Sequence, residues 1–202
     1  VLLMYDEYEE AKKVFDYLRD SGADFDDIDV EYGQYLLTKD DRTDADVEEA
    51  KKIYHKLVDK YKNQDKKGDR TFSLHYVYYV EALWQEGKNI DKALEYLDMS
   101  IKEKDDYDPA YYVKTRILMD SHRIKPYEAI EMYKKVLEIN PYHGTVNCAI
   151  AEIYDDMEEY EKALPYHTAQ LERRQNLYYY LNRGLAYMAL DRFEEAREDY
   201  RK

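Results

Sequence analysis

The sequence predicts an all-α protein, a solenoid of about five stacked helix–turn–helix hairpins. Three observations predict it. Helix breakers are scarce, six glycines and four prolines in 202 residues, while Glu, Lys, Leu and Ala, all good helix formers, are abundant. Apolar residues recur at helical rather than strand-like intervals. An alanine also returns along the chain, at 11, 50, 93, 129, 163 and 196, giving spacings of 39, 43, 36, 34 and 33. An aromatic or aliphatic residue precedes each alanine and an aromatic ring or leucine follows four positions later. Such a period is the signature of small helical units that bury their apolar faces on one another.

In chain order, Tyr8, Ala11 and Phe15 mark an opening helix near 5–19, the second half of a hairpin. Val47, Ala50 and Tyr54 anchor the pair 28–39/45–62, whose turn, Lys39 to Asp46, is long and polar. The polar stretch Asn63–Asp69 reads as a linker. Ile90, Ala93 and Leu97 anchor 71–86/90–103. Tyr127, Ala129 and Tyr133 anchor 110–122/126–138, where Ala129, Ile130, Tyr133, Val136 and Leu137 form one helical face. Tyr160, Ala163 and His167 anchor 144–157/160–174, with Pro165 about one turn into the second helix, where it removes an amide bond. Phe193, Ala196 and Tyr200 anchor 178–190/193–202. Gly22, Gly68, Gly87 and Gly144 fall in connections, and Pro109, Pro126 and Pro141 stand where helices could begin.

In the last two pairs a small residue (Gly184, Ala151) lies three positions before a tyrosine (Tyr187, Tyr154), and a second aromatic follows the alanine. Leu137-Glu138-Ile139-Asn140-Pro141 closes the preceding pair. These residues resemble the tetratricopeptide repeat, clearly over 71–202 and more divergently over 1–70, within one repeat domain, 1–202. The resemblance implies a tetratricopeptide-type α-α superhelix that binds a protein or peptide segment in its concave groove. It places Tyr78, Tyr112, Arg116, Glu152, Tyr178, Asn182 and Leu185 on the first helices of the hairpins, facing that groove. Asn182 corresponds to an asparagine that holds a peptide's terminal carboxylate in chaperone-binding members, but Thr145, Cys148 and Ala149 stand where the neighbouring unit would supply basic partners.

Charge narrows the partners. The 45 acids and 31 bases give a net charge of −14, and the mean hydropathy is −0.90. Cut at Arg70 and Tyr142, every third of the chain is acidic. Nucleic acid and anionic membrane surfaces are disfavoured because no basic stripe exists to displace counterions, whereas basic proteins would be steered in. No stretch reads as a membrane span, and no basic-then-apolar signal pattern is visible, so a cytoplasmic location is expected. Cys148, the one cysteine, permits no internal disulfide and reads as a reduced core thiol. The lone opening half-hairpin and uncapped Tyr200-Arg201-Lys202 lead us to expect a piece of a longer chain, with exposed end faces through which copies could associate.

Motifs for chemistry are missing: there is no glycine-rich phosphate loop, no metal-binding histidine pair and no nucleophile elbow, so neither an enzyme nor a cofactor is expected. The five histidines (55, 75, 122, 143 and 167) are scattered, and His167 occupies an aromatic packing slot. Two acidic runs, Asp20–Glu31 and Asp40–Glu49, lack the glycine of a calcium loop and read as helix N-termini and solvated loops. The 25 tyrosines divide. Tyr8, Tyr54, Tyr133, Tyr154, Tyr160, Tyr187 and Tyr200 fall in packing slots. Tyr76, Tyr78 and Tyr79, Tyr111 and Tyr112, and Tyr178, Tyr179 and Tyr180 are clusters on one helix each. Consecutive residues diverge by about 100°, so each cluster should send at least one ring to a surface. The function expected is a non-catalytic interaction scaffold. A regulatory or substrate-presenting segment of a larger enzyme or chaperone, and a self-associating module, are the alternatives.

Overall fold

A computed structural model describes residues 8–21, 26–63 and 72–202. Eleven helices and no strand occur among them: α1 Tyr8–Asp20, α2 Asp26–Thr38, α3 Asp44–Tyr61, α4 His75–Glu86, α5 Ile90–Glu103, α6 Asp108–Asp120, α7 Pro126–Ile139, α8 Val146–Asp156, α9 Tyr160–Arg173, α10 Leu177–Ala189 and α11 Phe193–Asp199. The side chains of Tyr8 and Ala11, together with Gly22, Asp24, Gly68 and the linker beyond Asn63, lie outside the described residues. From α2 onward the helices pair as hairpins, α2/α3 through α10/α11.

The helix starts follow local chemistry. The Thr43 hydroxyl accepts the Asp46 amide at 3.3 Å while the Asp46 carboxylate takes the Thr43 amide at 2.7 Å, a reciprocal cap on α3. Asn89 and Asn176 cap α5 and α10 in the simpler way, each accepting an amide three residues on. Pro109 and Pro126 occupy the first turns of α6 and α7, where a missing amide is harmless. Pro141 begins no helix; it lies in the turn before α8. Pro165 sits on the exposed side of α9, which runs on through it to Arg173.

The chain divides into two compact units, Val1–Asp105 and Asp106–Lys202. The first is centred on Tyr32, Leu36, Ala50, Tyr54, Leu57, Leu74 and Val77, with Phe15 of α1 packed 5.1 Å from the Tyr32 ring. Here α3 also packs on α4, and the Glu81 carboxylate is buried at that junction (1% exposed). His55 Nδ1 of α3 lies 2.7 Å from one Glu81 oxygen, and Gln85 donates to the other at 2.8 Å. The second unit is centred on Ala129, Ile130, Val136, Val146, Ile150, Ala151 and Ala163, and α8 and α10 pack on the helices before them.

Two glycines set how closely the hairpin helices approach. A Cβ on Gly184 would stand 2.4 Å from Cε1 of Tyr200, and one on Gly33 at the same distance from Cε1 of Tyr54. In both hairpins a tyrosine ring of the second helix occupies the volume that a side chain on the first would need. The turns of the second unit share a different device. His122, Glu158 and Asp191, each two residues past the end of its helix, have φ of 56°, 58° and 57°. A side chain in that left-handed region costs about 1–2 kcal/mol, so packing of the two helices must hold each turn.

Several sequence expectations need correction. Tyr54, Tyr133 and Tyr154 are buried, but Tyr160 and Tyr187 are half-buried and Tyr200 is exposed. Cys148 is half-buried on α8, not a core thiol, because its helix turns that side outward. In the first acidic run, Asp26 and Asp29 are buried rather than solvated, paired with Lys60 at 2.5 Å and Lys56 at 3.1 Å of α3. Only the third tyrosine cluster presents an exposed ring, Tyr178; Tyr78 is buried and the others are half-buried.

Candidate peptide-binding face

Tyr78 belongs to the core of the first unit. It is 3% exposed and its ring stacks on Tyr96 at 6.5 Å, so it offers no surface. α4 turns this residue toward Tyr96 of α5, and the irregular unit lengths here displace the repeat register from which a groove position was read. The six remaining predicted residues all lie in the second unit, on α6, α8 and α10, the first helices of its three hairpins.

On α6, Tyr112 is half-buried, its ring 5.7 Å from Tyr133 and 4.7 Å from His143, which makes it a packing residue more than an anchor. Burial and the nearby Arg173 push the His143 imidazole below its ordinary range against the opposing pull of Asp108, favouring a neutral ring on Tyr112. Arg116 lies one turn on and approaches Asp120 at 3.6 Å. Tyr133 of α7 is buried against the Tyr112 ring. Burial raises its pKa most, and neighbouring Tyr112, Asp120 and Glu152 raise it further against Arg116.

Between α8 and α10 the contact is direct. The exposed Glu152 carboxylate accepts the Tyr178 hydroxyl through Oε1 at 2.8 Å, and the Cys148 thiol donates to the same oxygen at 3.2 Å. Asn182, one turn on along α10, lowers the Tyr178 phenol's pKa, but Glu152 and burial outweigh it and the phenol is raised. Burial, then the hydrogen bond to Glu152, push the Cys148 thiol to about 12. The chain Cys148–Glu152–Tyr178 thus ties two successive hairpins together on their first-helix side. It brings together two predicted residues, Glu152 and Tyr178, while Asn182 is half-buried one turn after Tyr178.

Beside this chain α10 carries an apolar stripe. Leu185 is 61% exposed, and Leu181 and Met188, which the sequence reading did not single out, are exposed with it. Their signal was available: positions 177, 181, 185 and 188 fall on one side of a helix, and three of them are leucine. The opposite side of α10 is pinned. Arg183 grips Asp199 of α11 through two bonds of 2.8 and 2.7 Å and reaches Thr168 of α9 at 3.2 Å. The stripe is held rigid without being covered. Among the described residues no group of His, Cys, Asp and Glu is placed to hold a metal ion, and no helix is long and apolar enough to cross a membrane.

Comparison with known proteins agrees with the helical-hairpin fold. The tetratricopeptide repeat family matches residues 177–202, which are α10 and α11. A crystal structure of MamA superposes with a TM-score of 0.62 at 18% identity, over 79% of this chain and 88% of that one. MamA 41-end from Desulfovibrio magneticus RS-1 gives 0.56 at 19% identity, over 64% and 73%. PilF of Pseudomonas aeruginosa gives 0.65 at 14% identity, over 96% and 90%. Comparison with curated protein sequences finds no match.

Proposed function

We propose that this chain, an all-α protein whose hairpins have the tetratricopeptide-type fold, is an interaction scaffold that grips a segment of another protein on the first-helix face of its second unit. One observation carries the reading: the exposed Tyr178 and Glu152 are locked to each other across successive hairpins beside the uncovered Leu181, Leu185 and Met188. An amphipathic ring, a fixed carboxylate and a rigid apolar strip together suit segment binding, because little side-chain freedom is left to lose on association. The acidic chain, net −14, supports a basic partner. The absence of catalytic motifs in the sequence supports a non-catalytic role. The proposed setting is the cytoplasm, where Cys148 stays a thiol.

The test is a selection of displayed peptides on the protein, followed by titration of the winners against wild type and a Tyr178→Ala/Leu185→Ser variant. Both residues are exposed, so helicity should persist. The reading expects the variant to lose at least about tenfold in affinity, the cost of removing contacts at a binding centre. Equal affinity with unchanged circular dichroism would count against it.

A further inference from the structure

The reading above leaves open which feature of the partner is recognised. Glu152 answers in part. Its Oε1 already takes two donors, the Tyr178 hydroxyl and the Cys148 thiol, while Oε2 has no partner among the described residues. A carboxylate fixed by one oxygen and open at the other, on an exposed helix face, is preorganised for a cation. Its surroundings permit only that sign. Arg116, the basic residue predicted on this face, is drawn to Asp120, and the side chain one turn after Glu152 on α8 is again acidic, Asp156. The Tyr178 ring, bonded through its hydroxyl to the same carboxylate and 52% exposed, adds an aromatic surface beside it.

The second contact is set by distance along α10. Leu185 follows Tyr178 by seven residues, a rise of about 10 Å. An extended segment covers that in about three residues at roughly 3.3 Å each. We infer that Glu152 is the charge anchor of the proposed binding face, pairing with a lysine or arginine of the partner, and that an apolar residue about three positions away in the same segment packs on Leu181, Leu185 and Met188. This rests on the interaction-scaffold reading and adds to it a recognition rule.

Labelled peptides in a glycine–serine background test the rule by fluorescence anisotropy. One carries lysine, two alanines and leucine in succession; the others replace the lysine with glutamate or the leucine with serine. The proteins are wild type, Glu152→Gln, and Glu161→Gln, which removes an exposed carboxylate of α9 and so controls for net charge. Wild type and Glu161→Gln should prefer the lysine peptide over the glutamate peptide, and Glu152→Gln should reduce that preference by up to about fivefold, the upper end of the range for one exposed ion pair. A preference that is absent in wild type, or equally reduced by both substitutions, overturns the anchor while leaving the binding face in place. If none of the peptides binds wild type at millimolar concentration, the face and the anchor fall together.

Discussion

Replacing Gly33 with alanine should destabilise the first unit even though alanine is the better helix former. The new Cβ would lie 2.4, 2.8 and 3.1 Å from Cε1, Cζ and Cδ1 of Tyr54. Carbon atoms in contact prefer about 3.5–4.0 Å, so the ring must retreat by about 1 Å. It has nowhere to go: Tyr54 is fully buried, with Tyr76 at 6.2 Å and Trp84 at 6.1 Å between centroids. Overpacking costs about 1–3 kcal/mol, and a ring hemmed in on all sides takes the upper half, about 2–3 kcal/mol; removing a glycine from a helix returns about 1 kcal/mol, leaving a net loss of about 1–2 kcal/mol. Gly184→Ala meets Tyr200 at the same distance, but that ring is 42% exposed on the last helical turn and can swing outward. Its net effect should fall within about 0.5 kcal/mol of zero, because the propensity gain survives. Urea unfolding followed by Trp84 fluorescence, from the single tryptophan, reads the first unit directly. The clash argument predicts that Gly33→Ala no longer destabilises once Tyr54 is leucine. A Gly33→Ala protein as stable as wild type would refute the reasoning.

Two other perturbations read the molecule elsewhere. Burial pushes the Asp46 carboxyl up, but hydrogen bonds from Thr43 and Lys39 outweigh it and hold the group at about 2, below its ordinary 3.8. A lowered folded pKa gives stability that is complete above the unfolded value and disappears as pH falls toward the folded one. Thr43→Ala should therefore cost about 1 kcal/mol at pH 7 and distinctly less at pH 2; an identical difference in urea midpoint at both pH values would exclude this. Cys148, raised to about 12 by burial and then by Glu152, should react with iodoacetamide at pH 8 at least about a hundredfold more slowly in the native protein than in urea. Glu152→Gln should speed the native reaction, and a native rate within tenfold of the unfolded one would show that the thiol is not so held.

The helices were legible because the signals that form them are local. The alanine anchors and the apolar period lie within one helix, and the Gly184–Tyr200 contact lies within one repeat of regular length. Gly33 escaped notice because the long polar turn before α3 moves its tyrosine from sixteen to twenty-one residues away, and a contact defined by spacing disappears when spacing changes. The same irregular lengths displaced the repeat register by which Tyr78 was read as a groove residue. Asp26 and Asp29 looked solvated because their lysines stand 34 and 27 residues on, beyond any local pattern. Of the candidate face, Glu152, Tyr178 and Leu185 were legible from repeat position alone. The bond joining Glu152 to Tyr178 was not, since it spans 26 residues and depends on how α8 and α10 settle together.

The left-handed residues at 122, 158 and 191 bear on the order of events during folding. A loop that prefers its native bend can close first and bring its flanks together, which is the usual role of glycine at such a corner. Histidine, glutamate and aspartate give no such head start. In the second unit the corners should lock only after the flanking rods have met, so direction reversal there is an outcome of association and not its trigger.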